Sequence, residues 1–130
     1  MKELIRIYKE LSDESRLRVL NLLFEKECCV CEVEQVLETS QSKASRILTA
    51  LYAAGLVTFR KEGLWSLYSM DWDGMDGNVK EILEATRNGF ADIPQMKADL
   101  ERLRTVVRVG PCCTEGSCDT KIAPEKILAE

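Results

Sequence analysis

The amino-acid sequence predicts a mainly α-helical domain carrying one small β-hairpin. Three observations lead there. Apolar residues recur at helical spacing through most of the chain. The pattern turns β-rich only at 56–60 and 65–70. Between those runs lies Lys61-Glu62-Gly63-Leu64, which has hairpin turn chemistry. With 130 residues, the chain has room for one domain, expected over 1–108, and a tail over 109–130.

Composition narrows the function classes. The chain is 45% hydrophobic and 31% charged, as in an ordinary globular domain. No apolar run approaches a membrane span, and the first residues lack the apolar core of a secretory signal. A cytoplasmic protein with reduced thiols is expected, with no membrane partner. Histidine is absent, which removes the usual general base and the commonest ligand of zinc, nickel and copper(II). Any metal site must therefore be rich in thiolate, and six cysteines are present to build one.

The net charge of −4 argues against nucleic acid only if averaged over the whole chain. From Ser40 to Lys61 there are four cations and no acid, whereas Asp71 to Glu101 holds eight acids against three cations. A local basic surface is what meets phosphates.

Taken in order, residues 3–11 read as a short amphipathic helix with Leu4, Ile5, Tyr8 and Leu11 on one face. Ser12 is the expected N-cap of a second helix running to about Lys26. Its buried stripe is Leu17, Leu20, Leu23 and Phe24, widened by Val19 and Leu22. Glu27 to Cys31 reads as a connection, and Glu32 to Leu37 as a short third helix burying Val33, Val36 and Leu37. Ser40 is placed to cap a fourth helix whose inner face is Ala44, Ile47, Leu48, Leu51 and Tyr52. Gly55 stands where the chain must leave that helix.

The outer face of the fourth helix is Ser42, Ser45, Arg46, Thr49 and Ala53. A merely solvated helix carries Glu and Lys of mixed sign. Short polar and basic side chains instead permit close approach to base edges. Two short helices joined by a tight turn, the second with such a face, form a helix-turn-helix, and the basic hairpin after it is a wing. The DNA-binding residues expected are Ser40, Gln41, Ser42, Lys43, Ser45, Arg46 and Thr49 from the helix, with Arg60 and Lys61 from the wing. Arg46 and Gln41 suit base edges, and Ser42, Lys43 and Ser45 suit phosphates. Trp65, Leu67, Tyr68 and Met70 read as core.

Asp71 to Gly77 reads as a turn-rich linker, since the closing Glu of a calcium loop is missing. Asn78 is the expected cap of a helix reaching about Asp92, with Val79, Ile82, Leu83, Thr86 and Phe90 inward. A last helix is expected from Pro94 to about Val107, burying Met96, Leu100, Leu103 and Val107. The tail PCCTEGSCDTKIAPEKILAE then carries Cys112, Cys113 and Cys118.

The segments LSDESRLRVLNLL, CVCEVEQVL, SQSKASRILTALYAAGLV and the wing RKEGLWSLY occur in an order and spacing that resemble the arsenical-resistance repressor (ArsR/SmtB) family. The resemblance covers roughly residues 4–92. It implies a winged-helix homodimer, with the first helix and the 78–91 helix at its interface. It also implies repression of a detoxification operon and release from double-stranded operator DNA when a soft ion binds. The Cys29-Val30-Cys31 motif is most similar to the arsenite- and cadmium/lead-responsive branches. Where one arsenite type has a further thiol one helical turn on, this chain has Glu34. The histidine-carboxylate zinc site of other branches cannot be formed.

Arsenite and antimonite favour three thiolates. The tail trio Cys112, Cys113 and Cys118 is the first candidate for As(III) or Sb(III) as inducer. A set shared between Cys29 and Cys31 and one or more tail cysteines, of the same chain or the partner chain, is the second, and would also suit Cd(II), Pb(II) or structural Zn(II). Other readings stay open: a thiol or persulfide switch through Cys112–Cys113 or Cys31 and a tail thiol, and Cys28 as a small buried residue. A thiol oxidoreductase such as an arsenate reductase is disfavoured, because no C-x-x-C motif or thiol after a phosphate-cradling loop is present. A winged helix that binds a protein partner would show no salt-dependent DNA binding.

Overall fold

A computed structural model describes residues 1–107. Six helices and a three-stranded antiparallel sheet follow one another as α1 (Lys2–Glu10), α2 (Glu14–Glu25), β1 (Cys28–Cys29), α3 (Val30–Leu37), α4 (Gln41–Ala53), β2 (Val57–Glu62), β3 (Trp65–Met70), α5 (Gly77–Gly89) and α6 (Pro94–Thr105), with a single 3₁₀ turn at Trp72–Gly74. The mainly α architecture with a hairpin wing is as expected. Cys112, Cys113 and Cys118 lie outside the described residues.

Helix α2 is the spine. Val19, Leu20 and Leu22 are fully buried, and Leu48, Leu51, Val33, Leu56 and Leu83 close round them from α3, α4, the β2 approach and α5. Its N-cap is Asp13, whose carboxylate accepts the Arg16 N–H at 3.0 Å. Ser12, the expected cap, instead closes α1 by donating to the Lys9 carbonyl at 2.8 Å. A carboxylate also meets the positive end of the helix dipole better than a hydroxyl. The α1 stripe turns as well: Ile7 is the residue buried, while Leu4, Ile5 and Tyr8 stay exposed.

The α3–α4 pair forms the helix-turn-helix. Glu38 leaves α3 in the left-handed region, φ 55° and ψ 49°. Ser40 caps α4 by accepting the Lys43 N–H at 3.1 Å. At the far end, Gly55 (φ 82°) donates to the Tyr52 carbonyl and Leu56 to that of Leu51, a Schellman closure that only the glycine enters without strain. Leu56 is thereby turned into the core.

The stretch expected as a plain connection is partly sheet. Cys28 pairs with Tyr68 and Cys29 with Leu67, adding β1 to the hairpin in the order β1-β3-β2. Helix α3 also begins two residues earlier than expected, at Val30, because Cys29 is its N-cap. Asp76, not Asn78, stands at the N-cap of α5, and α5 stops at Gly89. Pro94 opens α6, whose N-terminal position needs no N–H.

Helix α6 is bolted on by polar contacts. Asp99 is fully buried and receives a two-pronged bond from Arg18 at 2.7 and 2.9 Å, with Gln95 adding a third donor at 2.8 Å. Asn21 donates to the Met96 carbonyl at 3.0 Å. Among the described residues no helix is long and apolar enough to cross a membrane.

Candidate DNA interface and thiol site

The outer face of α4 is as the sequence reading has it. Ser40, Gln41, Ser42, Lys43, Arg46 and Thr49 are exposed and Ser45 is half-buried. Lys43, Ser45, Arg46 and Thr49 line a groove of about 540 Å³ whose opposite wall is Asp13, Ser15 and Arg16 at the start of α2. Sequence reasoning passed over that wall. Its trace is the N-cap at Asp13, which sets Ser15 and Arg16 in the first turn of α2. Arg6 ties α1 to the same region by donating to the Ala53 carbonyl at 3.1 Å.

The wing cations divide. Lys61 is exposed. Arg60 is engaged by two carboxylates: Glu27 takes a two-pronged bond at 3.0 and 3.0 Å, and Glu62 lies 2.9 Å from Nη1. The hydrogen bond to Glu27 is the main reason the Arg60 pKa is raised. Arg60 thus links the wing to the residue just before β1.

Strand alternation sorts the thiols. Cys28 faces the main core, and its Sγ donates to the Lys26 carbonyl at 3.5 Å. Cys29 lies on the opposite face with Leu67, and the first turn of α3 brings Cys31 beside it. The Cys29 and Cys31 sulfurs are 2.6 Å apart, buried, with Trp65 packed against the cluster. Buried Glu32 accepts the Cys29 N–H at 2.8 Å and pairs with Lys26 at 2.9 Å, which fixes the helix start. The hydrogen bond to Cys31 and burial push the Cys29 pKa well up, so Cys29 is a protonated thiol at neutral pH. Among the described residues, no three potential ligands converge as a metal site. Two soft donors stand together there, and a three-thiolate set would need a donor from outside the described residues.

The end of the described chain comes to this place. Gln35 donates from one amide nitrogen to the Cys31 carbonyl at 3.2 Å and to the Val107 carbonyl at 2.9 Å. Those two oxygens therefore lie within about 6 Å of each other. Arg102 donates to the Gln35 carbonyl at 2.8 Å and pairs with Glu38 at 3.0 Å. Neither Gln35 nor Arg102 stood out in the sequence, since contacts 67 and 72 residues apart leave no local signal.

A helix-turn-helix with a polar, basic second helix and a hairpin beside it defines a winged-helix DNA-binding regulator. The family model "Bacterial regulatory protein, arsR family" matches residues 13–58. The chain is 35% identical over 86 residues to the arsenical resistance operon repressor of Bacillus subtilis, an alignment covering 62% of this chain and 82% of that protein. It is 36% identical over 83 residues to a cadmium resistance transcriptional regulatory protein, CadC homolog, of Staphylococcus aureus, covering 63% of this chain and 65% of that one, a little under two thirds. Among solved structures it is similar to the homodimeric winged helix-turn-helix DNA-binding domain of a possible ArsR-family regulator from Mycobacterium bovis, with a TM-score of 0.57, 25% identity, and 70% and 83% of the two chains covered. The chain belongs to the arsR family of bacterial transcriptional regulators.

Proposed function

We propose that this regulator is a homodimeric repressor of an arsenic-resistance operon, released from its operator when As(III) or Sb(III) binds cysteine thiolates. The observation that carries the ligand reading is the Cys29–Cys31 pair, two buried sulfurs 2.6 Å apart, one on β1 and the other in the first turn of α3. Softness favours arsenic, antimony, cadmium or lead there over harder ions. The names of the relatives support this reading: one is an arsenical resistance operon repressor, another a cadmium resistance transcriptional regulatory protein.

The ligand set we favour is the shared one, Cys29 and Cys31 with a thiol of the same chain's tail. Cys112 is five residues and Cys113 six residues beyond Val107. Five residues span up to roughly 17 Å, ample for a start point pinned beside Cys31. The tail trio Cys112, Cys113 and Cys118 is the competing set. Cd(II) or Pb(II) as the natural ion is the second reading, favoured by the cadmium relative.

The exposed apolar row Leu4, Ile5 and Tyr8 on α1 supports a homodimer, since such a row on a monomer is costly in water. A dimer sets two α4 helices about one DNA turn apart. Lys43, Arg46 and Lys61 would supply phosphate contacts, so binding should weaken steeply with salt.

The test is arsenite-induced release from promoter DNA, comparing wild type with Cys29/Cys31→Ser and Cys112/Cys113/Cys118→Ser. Failure of both variants supports the shared site. Failure of only the tail variant assigns the trio. A wild type indifferent to arsenite but released by Cd(II) moves the second reading ahead.

A further inference from the structure

The β2–β3 hairpin has two faces, and strand alternation decides what each carries. On one face Arg60 stands opposite Leu67, which also pairs with Cys29 of β1. On the other stand Val57, Phe59 and Lys61 of β2, with Phe59 opposite Tyr68 and Lys61 opposite Ser66. The two wing cations therefore leave the sheet in opposite directions. Arg60 is on the thiol side, held by Glu27 and Glu62. Lys61 is on the face that Phe59 turns toward α4.

Three aromatic rings join that face to α4. Tyr52, in the last turn of α4, lies 5.5 Å from Phe59 between ring centres, and Phe59 lies 5.6 Å from Tyr68. The rings are tilted by 53° and 47°, away from the face-to-face stacking that aromatic quadrupoles disfavour. Tyr68 is half-buried and packs on the main core. Tyr52 has inner-face spacing on α4, yet it stays 50% exposed, and Phe59 is 40% exposed. Two rings so open to water do little to fill the core. What they do is bridge the recognition helix to the wing. Phe59 is two residues from Lys61 on the same strand face, so a contact that fixes Phe59 also fixes the base of the Lys61 side chain.

We propose that Tyr52, Phe59 and Tyr68 are positioning residues for DNA binding: the ladder of rings sets the angle of the wing to α4 and so holds Lys61 against a phosphate while α4 lies in the major groove. The rings act through Lys61 and not by touching DNA. This rests on the reading of Lys61 as a phosphate contact given above.

The experiment uses the full-length chain and fluorescently labelled promoter DNA, with affinity measured across a range of salt concentrations. Variants are Phe59→Ala, Tyr52→Ala, Tyr52→Phe, Lys61→Ala and Phe59→Ala combined with Lys61→Ala, each checked for an unchanged thermal transition. Should Phe59→Ala fail to fold, Tyr52→Ala combined with Lys61→Ala carries the same test. Lys61→Ala should weaken binding by about 10- to 100-fold for the dimer and lower the salt dependence by about one charge per protomer. Phe59→Ala should lower the salt dependence likewise although it removes no charge, which a mere loss of stability does not do. In the Phe59→Ala background, Lys61→Ala should then cost about 3-fold or less, the non-additivity of residues that act together. Tyr52→Phe, which keeps the ring, should bind as wild type does.

Full additivity of Phe59→Ala and Lys61→Ala overturns the ladder, as does a Phe59→Ala protein with wild-type affinity and salt dependence. A loss in Tyr52→Phe as large as in Tyr52→Ala would make the hydroxyl a DNA contact and overturn it as well. An unchanged salt dependence in Lys61→Ala removes the contact that the ladder places, and overturns it while the repressor reading stands on Lys43 and Arg46. A wild type without salt-dependent binding to promoter DNA sinks the repressor reading itself, and this proposal with it.

Discussion

At the scale of single residues, the state of Cys29 separates the candidate inducers. A free thiol is already protonated at neutral pH, and the hydrogen bond to Cys31 and burial raise the Cys29 pKa further. A divalent cation binding there must expel protons, so Cd(II) affinity should rise with pH through the neutral range and fall with acid. Arsenite enters as a neutral hydroxide: each thiol proton leaves with a hydroxide as water, and no net proton is released. Proton release in weakly buffered solution should therefore be near zero for arsenite and clearly positive for Cd(II). Equal release for both would contradict this account of the site. Arg60 offers a second residue-scale prediction. Glu27 and Glu62 hold it in the DNA-free protein. Glu27→Gln should loosen that hold, raise DNA affinity by about 3- to 10-fold and steepen the salt dependence by up to one charge. Unchanged affinity and slope would mean that Arg60 does not reach DNA.

Among the elements, α6 is the one tied to α2 by a pair with a fully buried carboxylate. Asp99 is fully buried, and Arg18 supplies its counterion from α2. Removing one partner of such a pair leaves a buried charge uncompensated, at a cost of about 3–5 kcal/mol. Arg18→Ala, which strands the fully buried Asp99 carboxylate, should therefore lower the urea midpoint strongly, whereas a paired apolar replacement, Arg18→Met with Asp99→Leu, should cost far less. A double variant as unstable as the single would show that the site cannot tolerate apolar packing. Because α6 also braces α3, Arg18→Ala should weaken DNA binding as well. Intact affinity in a folded Arg18→Ala protein would separate the α2 bolt from the α3 brace.

For the whole molecule, the exposed α1 face is where the proposed dimer would form. Leu4, Ile5 and Tyr8 are 37%, 52% and 53% exposed, while their neighbour Ile7 is buried. A charge on that face should prevent association without touching the core. Ile5→Glu with Tyr8→Glu should give a folded monomer by sedimentation, with operator affinity reduced by about 100-fold or more as two-site binding is lost. A dimer that persists in this variant would place the interface elsewhere. Trp65 packs on the thiol cluster and Trp72 stacks with Phe24, so Trp72→Phe leaves one reporter beside the proposed thiol site. Its emission should change on arsenite addition in wild-type thiols and stay constant in Cys29/Cys31→Ser.

The sequence by itself determined the helix-turn-helix, the Ser40 cap, the Gly55 exit and the polar face of α4. Each is set by spacing or backbone preference within one or two turns, so local residues carry the whole signal. Hydrophobic period likewise marked both strands of the wing. Because histidine is missing, the sequence also leaves cysteine as the donor for any soft-metal site. Tertiary structure alone decided which thiols face each other. Adjacent Cys28 and Cys29 went to opposite faces when their two residues joined β3, and a two-residue strand has too little pattern to announce itself. The pairing of Arg60 with Glu27 and the seating of Arg102 and Gln35 were likewise decided only in three dimensions. These are contacts between segments far apart in the chain, and their partners are chosen by how the packed helices bring side chains together.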